Sequence, residues 1–188
     1  MRLENSFEVP ASVEESWRLL SDVPRVVPCL PGAELAEVVG ENAWKAKLHV
    51  RLGPIALRFL TDIVRELSDQ KAGRVVLAAT ARESKGRGSA KATIESTLTE
   101  ADGGTRVVIV TELTLRGAVA QYGRGVVGEV ASRLTADFAA CIGGKLTEPR
   151  SPSEASTTSP EPLGLLRLVL AALRRALLRP ARRRRIAP

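Results

Sequence analysis

Few side chains in this 188-residue sequence have the chemistry for catalysis or metal binding, and their spacing keeps them apart. The only histidine, His49, falls on the side of a strand pattern that also carries Lys45, Lys47 and Arg51, which predicts an exposed imidazole. Metal centres need His, Cys or carboxylates clustered at short spacing, and none occur here. No Ser/His/Asp or Cys/His set can be assembled around His49 on strand grounds. Asp62, Glu112 and Glu129 have the chemistry for acid–base work if they face a pocket. Asp62 and Glu112 read instead as outward strand charges, and Glu129 as a solvated helix position. The glycines of QYGRGVVG lack the spacing and the following Lys-Ser/Thr of a phosphate loop. The expectation is a chain with no catalytic residue and no metal. General acid–base catalysis by those three acids is the alternative.

The two cysteines, Cys29 and Cys141, are far apart in sequence and form no close pair of the metal or redox kind. They are expected to be separate small hydrophobes in the core, with a functional free thiol as the other reading. No secretory pattern opens the chain, so the expected compartment is a reducing cytoplasm.

The elements that must position these residues follow from the spacing of apolar side chains. Leu3, Asn5, Phe7 and Val9 alternate along a first strand that Pro10 ends. Ser12 followed by Glu15 resembles a capping box and starts a short helix through Leu20, with Val13, Trp17 and Leu20 as its buried stripe. A second helical turn near Asp22 to Val27 is closed by Pro28 and Pro31, and the loop ends at Gly32. From Leu35 to Leu115 the period is two. Trp44, Ala46, Leu48, Val50 and Leu52 share a face, as do Leu57, Phe59, Thr61 and Ile63. Val75 to Arg82 continues the series, Ala90 to Leu98 follows, and after Gly103-Gly104 come Val107 to Leu115. Residues 118–148 switch to the helical period, with Val119, Tyr122, Val126, Val130, Leu134, Phe138, Cys141 and Ile142 in one stripe. One long helix and a sheet with one wet face bury their apolar sides against each other. The fold class expected is α+β: a curved seven-stranded antiparallel sheet around a long C-terminal helix.

The net charge of +7 is unevenly placed. Residues 1–148 hold nineteen basic and nineteen acidic side chains, whereas residues 149–188 hold nine arginines against Glu154 and Glu161. A nucleic-acid-binding domain carries its basic excess on a folded face, so no nucleic-acid partner is expected of the body. Residues 149–162, PRSPSEASTTSPEP, have no large apolar side chain and read as a linker with a reach of roughly 20 Å. In residues 163–188, Leu166, Leu170, Leu173 and Leu177 oppose Arg167, Arg174 and Arg175 on a helical wheel, and Arg182, Arg183, Arg184 and Arg185 follow Pro180. A spanning helix needs about 20 apolar residues without such charges. A helix lying in the interface, leucines in the acyl boundary and arginines on anionic headgroups, fits this pattern. Docking of the leucine face on the body or on a partner protein, and a nucleic-acid role for the arginine run, are the alternatives.

Ala46, Ala79, Ala81, Ala90, Ala92 and Ser96 occupy inward strand positions, and Gly123, Gly125 and Gly128 open the long helix. Small residues on a concave sheet leave volume for an apolar ligand, or let the backbones close in with no void. Composition alone leaves these two readings level.

Three stretches in this order carry a resemblance. NSFEVPASVEESWRLLSDVPRVVPCLPGAEL, LGPIALRFLTDIVRELSD and GAVAQYGRGVVGEVASRLTADFAACIGGKL resemble the G-subunit proteins of carbon monoxide dehydrogenase, within the START-like polyketide cyclase and Bet v 1 superfamily. The loop Cys29-Leu30-Pro31-Gly32 and the helix start from Gln121 to Gly125 are the most specific parts. The resemblance implies a helix-grip fold and a non-catalytic accessory protein of a molybdenum-containing carbon monoxide dehydrogenase or related hydroxylase. It also implies an apolar ligand between sheet and helix, and a C-terminal extension that reaches the membrane.

Together these readings give a START-like ligand-binding domain at 1–148, a linker at 149–162 and a basic amphipathic tail at 163–188. The expected ligand is a membrane-derived apolar molecule, with a respiratory quinone (menaquinone or ubiquinone) as the carried group and no covalent cofactor. Gln121, Tyr122 and Arg124 are expected near its polar head. Trp44, Leu48, Phe59, Ile63, Leu113, Val126, Val130 and Phe138 would line the apolar part. The loop from Pro24 to Gly32, with Cys29, Leu30, Pro31 and Gly32 at its centre, would gate the entrance. The expected location is the cytoplasmic face of the cell membrane, peripherally bound. A membrane-recruitment adaptor with a filled core is the competing function, and a cyclase- or hydratase-like enzyme using Asp62, Glu112 and Glu129, of the kind the superfamily resemblance implies, is the second alternative.

Overall fold

The first strand and the last strand, about a hundred residues apart in the chain, lie side by side. In the computed structural model, which describes residues 1–52 and 55–148 apart from the side chains of 52, 55 and 124, β1 (Arg2–Val9) pairs antiparallel with β7 (Gly104–Gly117). Between them run β2 (Ala33–Gly40), β3 (Ala43–Leu52), β4 (Ile55–Asp69), β5 (Arg74–Glu83) and β6 (Gly88–Ala101). All seven form one antiparallel sheet in the order β1-β7-β6-β5-β4-β3-β2. Helices α1 (Val13–Leu20) and α2 (Val23–Val26) separate β1 from β2, and α3 (Gly123–Thr147) follows β7. This is the α+β architecture expected from the two periods, in the helix-grip arrangement that the resemblance implies. The chain divides into Met1–Glu148 and Pro149–Pro188. The linker, the tail and the Gly53-Pro54 turn lie outside the described residues.

Local chemistry sets the element ends. Ser12 caps α1 through a reciprocal box: its hydroxyl accepts from the Glu15 amide, and the Glu15 carboxylate accepts from the Ser12 amide. Asp22 caps α2 by accepting from the Arg25 amide. Gly32 has φ +77°, and a β-carbon there would stand 2.3 Å from the His49 carbonyl oxygen, so only glycine fits. The loop from α2 therefore enters β2 against the backbone of β3.

Side-chain alternation along paired strands gives the inner face its rows. Trp44 faces Ile63, Ile63 faces Ala79, Ala79 faces Ala92, and Ala92 faces Leu113. In the next row Ala46, Thr61, Ala81, Ala90 and Leu115 are neighbours in turn. Four alanines thus meet in the middle of the sheet, where larger side chains would fill the concavity.

The helix closes this concavity only along part of its length. Ile142 is fully buried in a cluster with Val9, Leu19 and Cys29, joined by Phe7, Leu20, Val26 and Phe138. Phe7 and Phe138 meet edge to face with ring centres 6.0 Å apart. Towards the N-terminus of α3 the same apolar stripe is progressively uncovered, and Val126 is 42% exposed. A β-carbon added at Gly125 or Gly128 would touch nothing within 4 Å.

The cysteines require a correction. Cys29 and Cys141, expected as separate buried thiols, form a disulfide with their Cα atoms 5.4 Å apart. Their separation of 112 residues hid the contact, which arises because the turn after α2 folds against the last part of α3. Two paired cysteines no longer point to a reducing compartment. Closing so long a loop removes unfolded-state freedom worth about 4–5 kcal/mol in the chain-entropy account.

At the far end of β5, Glu83 is 5% exposed and organises the turn to β6. Its carboxylate accepts from the amides of Lys85 at 2.8 Å and Arg87 at 3.1 Å, and lies 3.6 Å from Arg87 Nε. Burial pushes this carboxyl up, but the Arg87 and Lys85 amides and the Arg87 guanidinium outweigh it and hold it below the ordinary carboxylate range.

Two outcomes are expected. Reduction with a phosphine should lower the thermal midpoint by about 10–20 °C, and coincident melts with and without reductant would refute the bond's contribution. Glu83 is bound more weakly by protons in the folded state than in the unfolded state. Its stabilisation is therefore full above the unfolded carboxylate value and disappears as pH falls through the folded one. Glu83→Gln should melt below the parent at neutral pH, with the gap closing on acidification; a gap independent of pH would contradict this account.

Candidate functional site

An apolar cavity of about 260 Å³ lies between the inner face of the sheet and α3. Its floor rises from Ile63 and Ala79 through Leu77 and Ile94 to Leu98 and Val107. Leu134, Thr135 and Phe138 cover it from α3, one helical turn apart. The third wall is a lip made by Leu20 of α1, Val23 and Val26 of α2, and Val27 and Leu30 beyond it.

The lip and the helix are joined where Cys29 bonds Cys141 and where Leu19, Leu20 and Val26 pack with Phe138 and Ile142. Cys29 sits between the cavity-lining Val27 and Leu30, and Cys141 lies three residues past Phe138. The disulfide therefore closes one edge of the chamber. At the opposite edge of the lip, Trp44 is buried against Val23, Val27 and Ala46. The Arg65 guanidinium lies 5.2 Å over the Trp44 ring. Arg65 also donates to the Ser21 carbonyl at 2.8 Å, the Asn42 side chain at 2.9 Å and the Glu41 carbonyl at 3.1 Å. This clamp ties the end of α1 to the β2–β3 hairpin and holds the lip over the sheet.

The wall is almost free of polar groups. Of its residues only Ser96 and Thr135 carry hydroxyls, and none is charged. The Thr135 hydroxyl donates back to the Ala131 carbonyl of its own helix at 2.9 Å. The arrangement can exclude water and hold an apolar body, and among the described residues its wall presents no carboxylate, imidazole, amine or thiol. His49, Asp62, Glu112 and Glu129 are all exposed. Among the described residues no three His, Cys, Asp or Glu side chains gather as a metal site.

The residues singled out from sequence fall in several places. Ile63 and Phe138 line the cavity, as does Leu30 of the loop from Pro24 to Gly32. Trp44 packs behind the lip. Leu48, Phe59 and Tyr122 gather instead with Leu57, Leu115 and Val119 in a separate cluster at the other end of the sheet. Leu113 and Val130 are half-buried, while Gln121 and Val126 are exposed. Arg124 contributes its backbone to the first turn of α3. Leu166 to Arg185 lie outside the described residues.

The wall residues not singled out come mostly from β5, β6 and β7 and from the short helices. Their inward alternation was visible in the sequence. Which stretch of that face the helix would leave uncovered was not, because that depends on where α3 is tethered. Among the described residues no helix is long and apolar enough to cross a membrane.

Comparison with known proteins agrees with this architecture. No curated protein matches the sequence. Among solved structures, a conserved protein from Geobacillus kaustophilus superposes with a TM-score of 0.69 at 24% identity, over 78% of this chain and 95% of that one. The Zhui aromatase/cyclase from Streptomyces sp. R1128 gives 0.57 at 17% identity, over 78% and 93%. A protein from Thermus thermophilus gives 0.55 at 17%, over 77% and 99%. At these identities the likeness establishes the START-like, Bet v 1-type fold and nothing about the ligand. The family model for CoxG, the G subunit of carbon monoxide dehydrogenase, matches residues 6–147, which reach every element of the fold. The chain belongs to the CoxG family, the G subunits of carbon monoxide dehydrogenase.

Proposed function

We propose that this protein is a non-catalytic carrier that takes an apolar molecule, a respiratory quinone such as menaquinone or ubiquinone, from the membrane and presents it to a molybdenum-containing carbon monoxide dehydrogenase or related hydroxylase. The observation that carries the proposal is the uncharged apolar chamber between sheet and helix. Its size bounds the cargo. A cavity of roughly 150 Å³ holds benzene, so about 260 Å³ has room for a one- or two-ring head group. A long isoprenoid chain exceeds that volume and must run out past the uncovered half of α3, where Val126 already faces solvent.

The tail supplies access to the membrane in this reading. Leu166, Leu170, Leu173 and Leu177 would enter the acyl boundary while Arg167, Arg174, Arg175 and Arg182 to Arg185 meet anionic headgroups. Reversible docking suits a carrier, because a body that stays inserted cannot swing to a soluble partner. Family membership supports the partner, since the family takes its name from the dehydrogenase. The absence of charged groups from the wall favours carriage over the chemistry of the cyclase neighbour.

The test is to mix the full chain with phosphatidylcholine–phosphatidylglycerol vesicles containing menaquinone, separate protein from vesicles, extract it and measure quinone by mass spectrometry. Stoichiometric quinone is expected. Ala79→Phe should fill the chamber and abolish carriage while the protein remains folded by circular dichroism. Leu170→Glu/Leu173→Glu should slow loading from the anionic vesicles without reducing the capacity of the chamber. Parent protein that emerges free of lipid would sink the carrier reading and leave the adaptor.

A further inference from the structure

We propose that Ser96 is the polar anchor of the chamber, and that it selects apolar molecules bearing one carbonyl or hydroxyl oxygen at the buried end. This rests on the carrier reading above and assigns the chemistry by which the same site chooses its cargo.

Ser96 lies on β6 between Val75 of β5 and Ile109 of β7, which line the chamber with it. It is half-buried, and among the described residues its hydroxyl makes no hydrogen bond. The other hydroxyl in the wall, on Thr135, has its proton committed to the Ala131 carbonyl. Thr61 also points to the inner face, but it lies outside the wall and its hydroxyl oxygen is sealed among its neighbours. Ser96 is thus the one group in the wall whose proton and lone pairs are both available to an occupant.

An idle hydroxyl in an apolar enclosure is an unfavourable place for a polar atom unless a guest or water pairs with it. A guest with no oxygen strands it and also displaces any water that served it. A guest with an oxygen in reach restores the bond. A serine hydroxyl donates to a carbonyl and accepts from a hydroxyl. One residue can therefore retain both the oxidised and the reduced form of a molecule that interconverts carbonyl and hydroxyl. A carrier that loads one redox form and returns the other needs this tolerance. A lysine or carboxylate at the same point would favour one form and burden the empty chamber with a charge.

The experiment uses the full chain and two pairs of probes matched in shape: 2-naphthol with 2-methylnaphthalene, and 1-tetralone with tetralin. Calorimetry gives the ratio of dissociation constants within each pair for the parent, Ser96→Ala and Ser96→Thr. In the parent the oxygenated member of both pairs should be favoured. Ser96→Ala should reduce that preference about three- to tenfold, the worth of one such hydrogen bond. Ser96→Thr, which keeps a hydroxyl, should preserve it. Ratios unchanged in Ser96→Ala while all probes still bind would overturn the anchor and leave the carrier reading intact. A parent chain that binds none of the four probes would overturn both.

Discussion

The chamber between sheet and helix depends on the helix being fastened at one end. The last turns of α3 are locked by Ile142 among Val9, Leu19 and Cys29, by the edge-to-face contact of Phe7 with Phe138, and by the Cys29–Cys141 bond. A close-packed core has no tolerance for gaps where side chains interlock. Once that end is fixed, the angle of the helix to the curved sheet decides how much of the concavity is covered. The N-terminal half carries Gly123, Gly125 and Gly128 and has few side chains long enough to reach the strands. Space remains beneath the middle of the helix, over Ala79 of β5 and the Ile94 and Ser96 side chains of β6.

The lip is held by separate means on its two sides. The disulfide joins it to the helix, and the Arg65 clamp joins it to the β2–β3 hairpin through Trp44, Ser21, Glu41 and Asn42. Guanidinium suits this position because its planar fork serves several acceptors at once while its face lies on an indole. Strong fastening on both sides keeps the chamber open as a defined shape. On the carrier proposal, cargo would pass on the remaining side, where the helix stripe is exposed.

The charge pattern divides the same labour along the chain. A neutral body with an uncharged chamber gives no long-range attraction to membranes, and the basic excess is confined to residues 149–188. On the carrier proposal, the tail would set residence at a surface and the body the choice of cargo. The two can then change independently.

The sequence by itself determined which residues form strands and helices and which side of each turns inward. Both depend on nearest neighbours: the period of two from Trp44 to Leu115, the helical stripe from Val119 to Ile142, the Ser12–Glu15 box, and the glycine that the turn before β2 requires. Ser96 and the alanines could be placed on the inner face for the same reason. Only the tertiary structure decided that β1 closes onto β7, that Cys29 reaches Cys141 across 112 residues, and that Leu48, Phe59 and Tyr122 pack apart from the cavity wall. Those outcomes depend on how a curved sheet and a tethered helix fit together in three dimensions. Periodicity assigns a side chain to a face but says nothing about what lies above it, and what the helix leaves uncovered makes the chamber.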